Sequence, residues 1–274
     1  MAELTPLGEV VGRYGLDARK ALGQHFLLDE TLCARIARLP GDLEGRQVLE
    51  VGPGPGGLTR ALLDRPIAHL TAVELDERAL AALAEVGEAH PGRLTVLRQD
   101  AMRFDGVEVL PAPRQVVANL PYNVGTPLLI GWLRQGAAWE RLTLMFQEEV
   151  ALRIVAPPRT EHYGRLAVLA QWVADCAVAL RLPPGAFRPP PKVHSAVVTI
   201  TPHAEQPEPA LFRAMEKLTA AAFGQRRKML RGALKSLGQA DALLAHCGIA
   251  GDRRAEELTV AEFDAMARTL HARG

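Results

Sequence analysis

The chain has 274 residues, 48% hydrophobic and 23% charged, with a formal net charge of +1. That composition suits a folded domain with a sizeable core and excludes a strongly basic or disordered chain, so any nucleic-acid surface must be a local patch. Cys33, Cys176 and Cys247 lie far apart and form no disulfide framework, which fits a reducing cytoplasm. The histidines have no metal-ligand spacing, so no metal is expected. No signal peptide and no bilayer-spanning stretch are expected either.

Residues 1–40 are mixed in character. From there, strand-like and helix-like runs alternate. Gln47–Val51 reads as a buried strand, followed by glycines and a helix over Leu58–Leu63. Leu70–Glu74 is a second strand, and Asp76 caps a helix reaching about Glu88. Leu94–Leu97, Val116–Asn119 and Leu142–Phe146 are further strands, with a helix at Thr126–Arg134. Short β-rich runs joined by helices predict a parallel sheet covered on both faces. Gly164–Ala174 reads as a helix, and Ala177–Leu182 and Ala196–Ile200 as strands. Pro183–Pro191 is too proline-rich for either element and predicts a stiff loop. Beyond the segment Pro202–Pro209 the pattern is helical, at about 210–223, 227–237, 240–246 and 260–271. The expected division is residues 1–204 and a small all-α domain at 205–274.

The first strand runs into Gly52, Gly54, Gly56 and Gly57, and G-x-G-x-x-G is formally satisfied. A dinucleotide is one reading. Against it, Pro53 and Pro55 remove backbone N–H donors that a pyrophosphate needs, whereas an uncharged or cationic ligand loses less. Glu74 ends the second strand about twenty residues on, where an acid holds ribose hydroxyls. Asp100 follows the third strand and can accept an exocyclic amine, and Asn119 ends the fourth. Ligands of open α/β sheets bind outside the carboxyl ends of the strands. A glycine turn, two acids and an amide on one rim predict adenosine without phosphate, as in S-adenosylmethionine.

Asn119 and Asn123 are the only two asparagines in the chain and bracket Leu120, Pro121 and Tyr122. Asn119 and the Leu120 carbonyl can accept from an amine, Pro121 aims that carbonyl, and Tyr122 offers a stacking face. Phe187, in the proline-rich segment, is a second stacking surface or a core residue. Asn123 either caps the helix beginning near Thr126 or ends the turn.

With these motifs in view, the chain resembles the KsgA/RsmA ribosomal RNA adenine dimethyltransferases. Lys20–Leu27, Glu50–Thr59, Asn119–Tyr122, Tyr163–Leu166, Phe187–Val193 and Phe223–Arg231 are similar to that family's motifs, in order and over nearly the whole length. The resemblance implies a Rossmann-like class I methyltransferase sheet with a small helical C-terminal domain. It also implies a cytoplasmic monomer that dimethylates N6 of two adjacent adenosines in the hairpin near the 3′ end of 16S rRNA, within the small subunit or its precursor. The implied cofactor is S-adenosylmethionine, contacted by Gln24, His25, Leu27, Gly52, Gly54, Glu74, Leu75, Asp100, Ala101 and Asn119. The implied catalytic group is Asn119, Leu120, Pro121 and Tyr122, with Phe187. The family usually has Asn where this chain has His25. Smaller departures are Met102, His194 and Met229.

Arg226, Arg227, Lys228, Arg231 and Lys235 open a C-terminal helix and predict contacts to RNA phosphates, with Arg227, Arg231 and Lys235 on one face. Arg19, Lys20 and Gln24 are expected to extend this RNA-contacting surface from the N-terminal side. Alternatives are an Erm-type methyltransferase of large-subunit rRNA, a non-enzymatic RNA-binding relative, and an NAD dehydrogenase, which lacks a clear acid–base partner here.

Overall fold

A computed structural model describes residues 4–16, 25–225 and 228–273. The chain forms two compact units, Met1–Ala151 with Ala177–Thr201, and Leu152–Cys176 with Pro202–Gly274. The second unit therefore includes a segment upstream of the division at 204 that composition suggests. In chain order the elements are α1 (Leu7–Arg13), β1 (Phe26–Leu27), α2 (Glu30–Ile36), β2 (Gln47–Val51), α3 (Gly57–Leu63), β3 (His69–Glu74), α4 (Glu77–Ala89) and β4 (Leu94–Arg98). Then come α5 (Gly106–Val109), β5 (Arg114–Asn119), α6 (Gly125–Gln135), β6 (Arg141–Gln147), α7 (Glu148–Val155), α8 (Arg165–Val173) and β7 (Ala174–Leu182). The last are β8 (Phe187–Arg188), β9 (Ser195–Pro202), α9 (Pro209–Phe223), α10 (Leu230–Ala233), α11 (Ala240–His246) and α12 (Val260–Ala272).

The first unit is built on a sheet of order β4-β3-β2-β5-β6-β9-β7. β2, β3, β4, β5 and β6 pair in parallel, while β9 is antiparallel to β6. The sheet is therefore mixed rather than wholly parallel. Val48, Leu49, Val116, Val117, Leu142 and Leu144 are each at most 1% exposed. Such continuous apolar runs are what strands covered on both faces require. In α4 the buried residues Ala79, Ala82, Leu83 and Val86 recur at helical spacing, and the Asp76 carboxylate caps the first turn by accepting from Arg78 N. The strand order reverses between β2 and β5, so a crevice opens at their carboxyl ends.

The proline-rich segment is not wholly loop. A short 3-10 turn at Pro184–Ala186 leads into β8, which pairs antiparallel with β1, Leu27 opposite Phe187. Thr5, Arg13 and Tyr14 all donate to the Glu85 carboxylate on α4, and Arg60 donates to the Thr5 carbonyl at 2.7 Å, which pins α1 beside the sheet.

In the second unit α12 packs with α8 and α9. Thr259 and Glu262 close a capping box at the start of α12. The Tyr163 hydroxyl donates to the Leu258 carbonyl at 2.8 Å, and the Phe223 ring stacks on Phe263 with centroids 5.6 Å apart. Two of the later motifs thus supply core residues of this unit. The helix expected over 227–237 is shorter: α10 ends at Ala233 and a 3-10 turn covers Leu234–Leu237, closed by Gly238 at φ +72°. Gly232 within α10 weakens a longer α-helix.

Candidate active site

A cavity of about 520 Å³ opens at the carboxyl ends of β2, β3, β4 and β5. It is lined by the glycine loop, by Glu74–Arg78, by Arg98–Met102, by Asn119–Val124, and by His25–Leu27 from the N-terminal side. The residues on the predicted rim are therefore brought together: His25, Leu27, Gly52, Gly54, Glu74, Leu75, Asp100, Ala101, Asn119, Leu120, Pro121 and Tyr122 all line this one space. Gln24, Arg19 and Lys20 lie outside the described residues.

The glycine loop allows close approach from two sides. Gly52 has φ +68°, and a Cβ there would lie 3.3 Å from Pro121 Cδ, so the glycine loop packs directly against Pro121. At Gly57 a Cβ would fall 2.5 Å from the Leu27 carbonyl oxygen, a distance that no side chain tolerates. The N-terminal strand thus lies tightly over the start of α3.

Glu74 is 9% exposed, and its carboxylate is fixed by the backbone. Oε1 accepts from Leu75 N and Asp76 N at 2.7 and 3.0 Å, and Oε2 accepts from Gly54 N at 3.3 Å. A carboxylate has about four acceptor positions, so about one remains on Oε2 for a ligand hydroxyl. Asp100 accepts from Met102 N at 2.9 Å through Oδ1, which leaves Oδ2 for a donor in the cavity. Leu75 and Met102 are 59% and 48% exposed. Two bare apolar side chains beside two acids suit a flat heteroaromatic ring with a polar edge. Met102 is not among the contacts expected from sequence, although its position two residues after Asp100 carries the signal.

Glu50 is a second residue to which the sequence assigns no role. It lines the cavity, is 1% exposed and accepts from the Thr59 hydroxyl at 2.7 Å. Burial pushes its carboxyl up to about 8, Glu74 adds to the rise, and the Thr59 bond opposes it. Burial thus favours the protonated form of Glu50.

Asn119 Nδ2 donates to the His25 carbonyl at 3.3 Å, which turns the side-chain oxygen Oδ1 into an oriented acceptor. The Tyr122 hydroxyl and Ser195 Oγ share a hydrogen bond of 2.8 Å, and the His25 and Tyr122 rings lie 5.4 Å apart, tilted. His25 Nδ1 is 2.9 Å from the Pro189 carbonyl. The imidazole is thus committed to the proline-rich segment. Phe187 is not among the residues that line this cavity: it is 1% exposed and belongs to a core cluster with Leu182 and Val197.

In the second unit, Arg226 and Arg227 lie outside the described residues. Lys228, Arg231 and Lys235 are exposed, and Arg231 is paired with Asp241 at 3.0 Å. The change from α-helix to 3-10 turn between Arg231 and Lys235 means that α-helical spacing no longer places them on one face.

The sequence profile of the ribosomal RNA adenine dimethylase family matches residues 15–271. This chain belongs to that family. Ribosomal RNA small subunit methyltransferase A of Gluconobacter oxydans is 63% identical over 96% of this chain and 87% of its own. Among solved structures, a dimethyladenosine transferase from Plasmodium falciparum superposes with a TM-score of 0.75 at 21% identity, over 88% of this chain and 96% of that one. The 23S rRNA methyltransferase ErmE superposes at 0.66 with 27% identity, over 89% of this chain and 99% of that one. The fold is accordingly the Rossmann-like class I methyltransferase fold.

Proposed function

We propose that this enzyme transfers methyl groups from S-adenosylmethionine to N6 of two adjacent adenosines in the hairpin near the 3′ end of 16S rRNA. It does so in the cytoplasm, on the small ribosomal subunit or its precursor. The observation that carries this reading is the juxtaposition of Asn119–Tyr122 with Glu74 and Asp100 in one cavity.

The cavity suits this cofactor. Pro53 and Pro55 leave the loop short of phosphate-binding N–H groups. The open position on Glu74 suits a ribose hydroxyl, and Asp100 suits an adenine amine between Leu75 and Met102. When bound, S-adenosylmethionine supplies an electrophilic methyl, so the protein need only bind, orient and exclude water.

Adenine N6 is a weak nucleophile because its lone pair is delocalised into the ring. Asn119 Oδ1, oriented by the bond from Nδ2 to His25, accepts one N6 hydrogen. The Leu120 carbonyl accepts the other, held in extended geometry by Pro121. Two acceptors that hold the amine hydrogens let the nitrogen pyramidalise, which withdraws the lone pair from the ring and localises it on N6. Tyr122 stacks the extruded base, worth about 1–3 kcal/mol, with its hydroxyl anchored on Ser195. Methyl transfer leaves the thioether and a cationic N6, which is acidic enough to shed a proton to water; the neutral amine then keeps one hydrogen, and one acceptor suffices. No strong base is needed at any stage.

The test is to incubate the protein with S-adenosylmethionine and small subunits lacking the modification, then to map modified nucleotides after digestion. The expected product is N6,N6-dimethyladenosine at two adjacent positions of the 3′ hairpin. Methylation of 23S rRNA instead, or cofactor and RNA binding without turnover, would overturn the proposal.

A further inference from the structure

We propose that Asn123 reads the target base, its side-chain amide donating to the ring nitrogen, N1 or N7, that flanks the exocyclic amine. The inference rests on the reading of the cavity as the methyl-transfer site.

The chain has only two asparagines, and both line the same cavity. Local structure accounts for Asn119 but not for Asn123. An asparagine in this position ordinarily closes a turn or caps the next helix with its own side chain. Here the turn is closed by the backbone: Val124 N and Gly125 N both donate to the Pro121 carbonyl, at 3.2 and 3.1 Å. The helix α6 begins at Gly125, its cap position is Val124, and no side chain bonds the first turn. Asn123 is exposed, and among the described residues its amide has no hydrogen-bond partner. Its neighbours are committed, Asn119 Nδ2 to His25 and the Tyr122 hydroxyl to Ser195. Asn123 thus presents an amide with both ends open, at the wall of the cavity, four residues from the acceptor that holds the amine.

The chemistry of the base selects which end is used. If Asn119 and Leu120 take the two N6 hydrogens, the edge of adenine that remains beside them consists of acceptors, N1 on one side and N7 on the other. An acceptor needs a donor, and Nδ2 of Asn123 is one. Two acceptors with a donor beside them match an amine flanked by a ring acceptor. They mismatch guanine, which presents O6 and N1–H along its pairing edge, and uracil, which presents O4 and N3–H. The pattern rejects guanine and uracil through polar groups left unpaired in the wrong complex, which is the strong form of discrimination, and it rejects cytosine, whose N4 amine lies beside N3, only where the donor reads N7.

The experiment uses small subunits reconstituted with 16S rRNA in which the target adenosines are replaced by 1-deazaadenosine or 7-deazaadenosine. Wild-type enzyme is compared with Asn123→Ala and with Asn123→Asp, which keeps the shape and removes the donor. On unmodified subunits both variants should lose about tenfold in kcat/KM, the size of one hydrogen bond. Their affinity for S-adenosylmethionine and their melting temperature should match wild type, because Asn123 is exposed. One of the two deaza substrates should cost wild type about the same tenfold and cost the variants nothing further. Coupling to 1-deazaadenosine assigns N1, and coupling to 7-deazaadenosine assigns N7. Losses that simply multiply with both analogues, unchanged kcat/KM in the variants, or a loss that follows cofactor affinity would each overturn the inference. Wild-type enzyme that fails to methylate unmodified subunits would instead remove the functional reading beneath it.

Discussion

Glu74 and Asn119 stand on neighbouring parts of one rim and are assigned different partners, so their alanine variants should fail in different ways. Glu74 offers three of its roughly four acceptor positions to Gly54 N, Leu75 N and Asp76 N, and the proposed function gives the remaining one to a ligand hydroxyl. A hydrogen bond to an ionised group contributes about 1.5–3 kcal/mol, so Glu74→Ala should raise the Kd for S-adenosylmethionine by about 10- to 150-fold. The three orphaned N–H groups border the cavity, where water replaces the carboxylate, and the stability loss should stay near 1–2 kcal/mol. Asn119→Ala removes the oriented acceptor Oδ1 together with the tether to His25. Removing one preorganised polar group from a reaction centre slows chemistry by about 10²- to 10³-fold, while cofactor affinity should move by less than about threefold, well under one hydrogen bond. Calorimetric titration gives the affinities, and single-turnover methylation at saturating cofactor gives the rates. Equal losses of cofactor affinity in the two variants would mean that Asn119 serves the cofactor, and the division of labour would be refuted.

Glu50 gives a pH prediction. Its folded carboxyl is raised from 4.5 to about 8, so the native state holds a proton that the unfolded chain releases. That contribution to stability is full below about pH 4.5 and is lost as pH rises towards 8, at up to about 1.4 kcal/mol per pH unit. Glu50→Gln should flatten this decline in denaturant melts across that range, and parallel curves for the two proteins would contradict it. Gly57→Ala should destabilise by about 1–3 kcal/mol, because its Cβ would meet the Leu27 carbonyl at 2.5 Å. The helical Gly87, where an added Cβ would have nothing within 4 Å, is the control: Gly87→Ala should stabilise by about 0.4–1 kcal/mol. Matching melting temperatures in the two variants would refute the close packing of the N-terminal strand. If the exposed Lys228 and Lys235 contact phosphates, the double alanine variant should bind substrate RNA with a salt slope smaller by about two. A filter-binding series in which affinity falls but the slope does not change would place those lysines elsewhere.

Most of the rim is legible in the sequence because it is made of local signals. β2 can be read to the residue from Gln47 to Val51, since a buried apolar run bounded by a glycine turn has few other solutions. Its glycine loop, and the polar residues at the ends of β3, β4 and β5, then fall on one edge by the rules of a doubly wound sheet. The features that leave no local signal are the ones that depend on partners far along the chain. β1 and β8 have two residues each, too few to carry a period, and exist because Phe26–Leu27 finds Phe187–Arg188 some 160 residues later. β9 carries the same β-rich signature as its neighbours and runs the other way, a fact that no composition encodes. Leu152–Cys176 reads as a continuation of the sheet domain and packs instead with the C-terminal helices.

Phe187 shows how one such pairing places a side chain. An aromatic in a proline-rich segment beside a base-binding cavity suits stacking and core packing equally well on sequence alone. The choice is made by Leu27, which pairs with Phe187 across the two short strands while its own carbonyl lies against Gly57. The register that presses the N-terminal strand onto the glycine loop is the same register that turns the Phe187 ring into the core. Tyr122 lines the cavity, whereas Phe187 is not among its lining residues. Its hydroxyl bond to Ser195 at the start of β9, and the tilted His25 ring 5.4 Å away, fix the plane against which a base can lie.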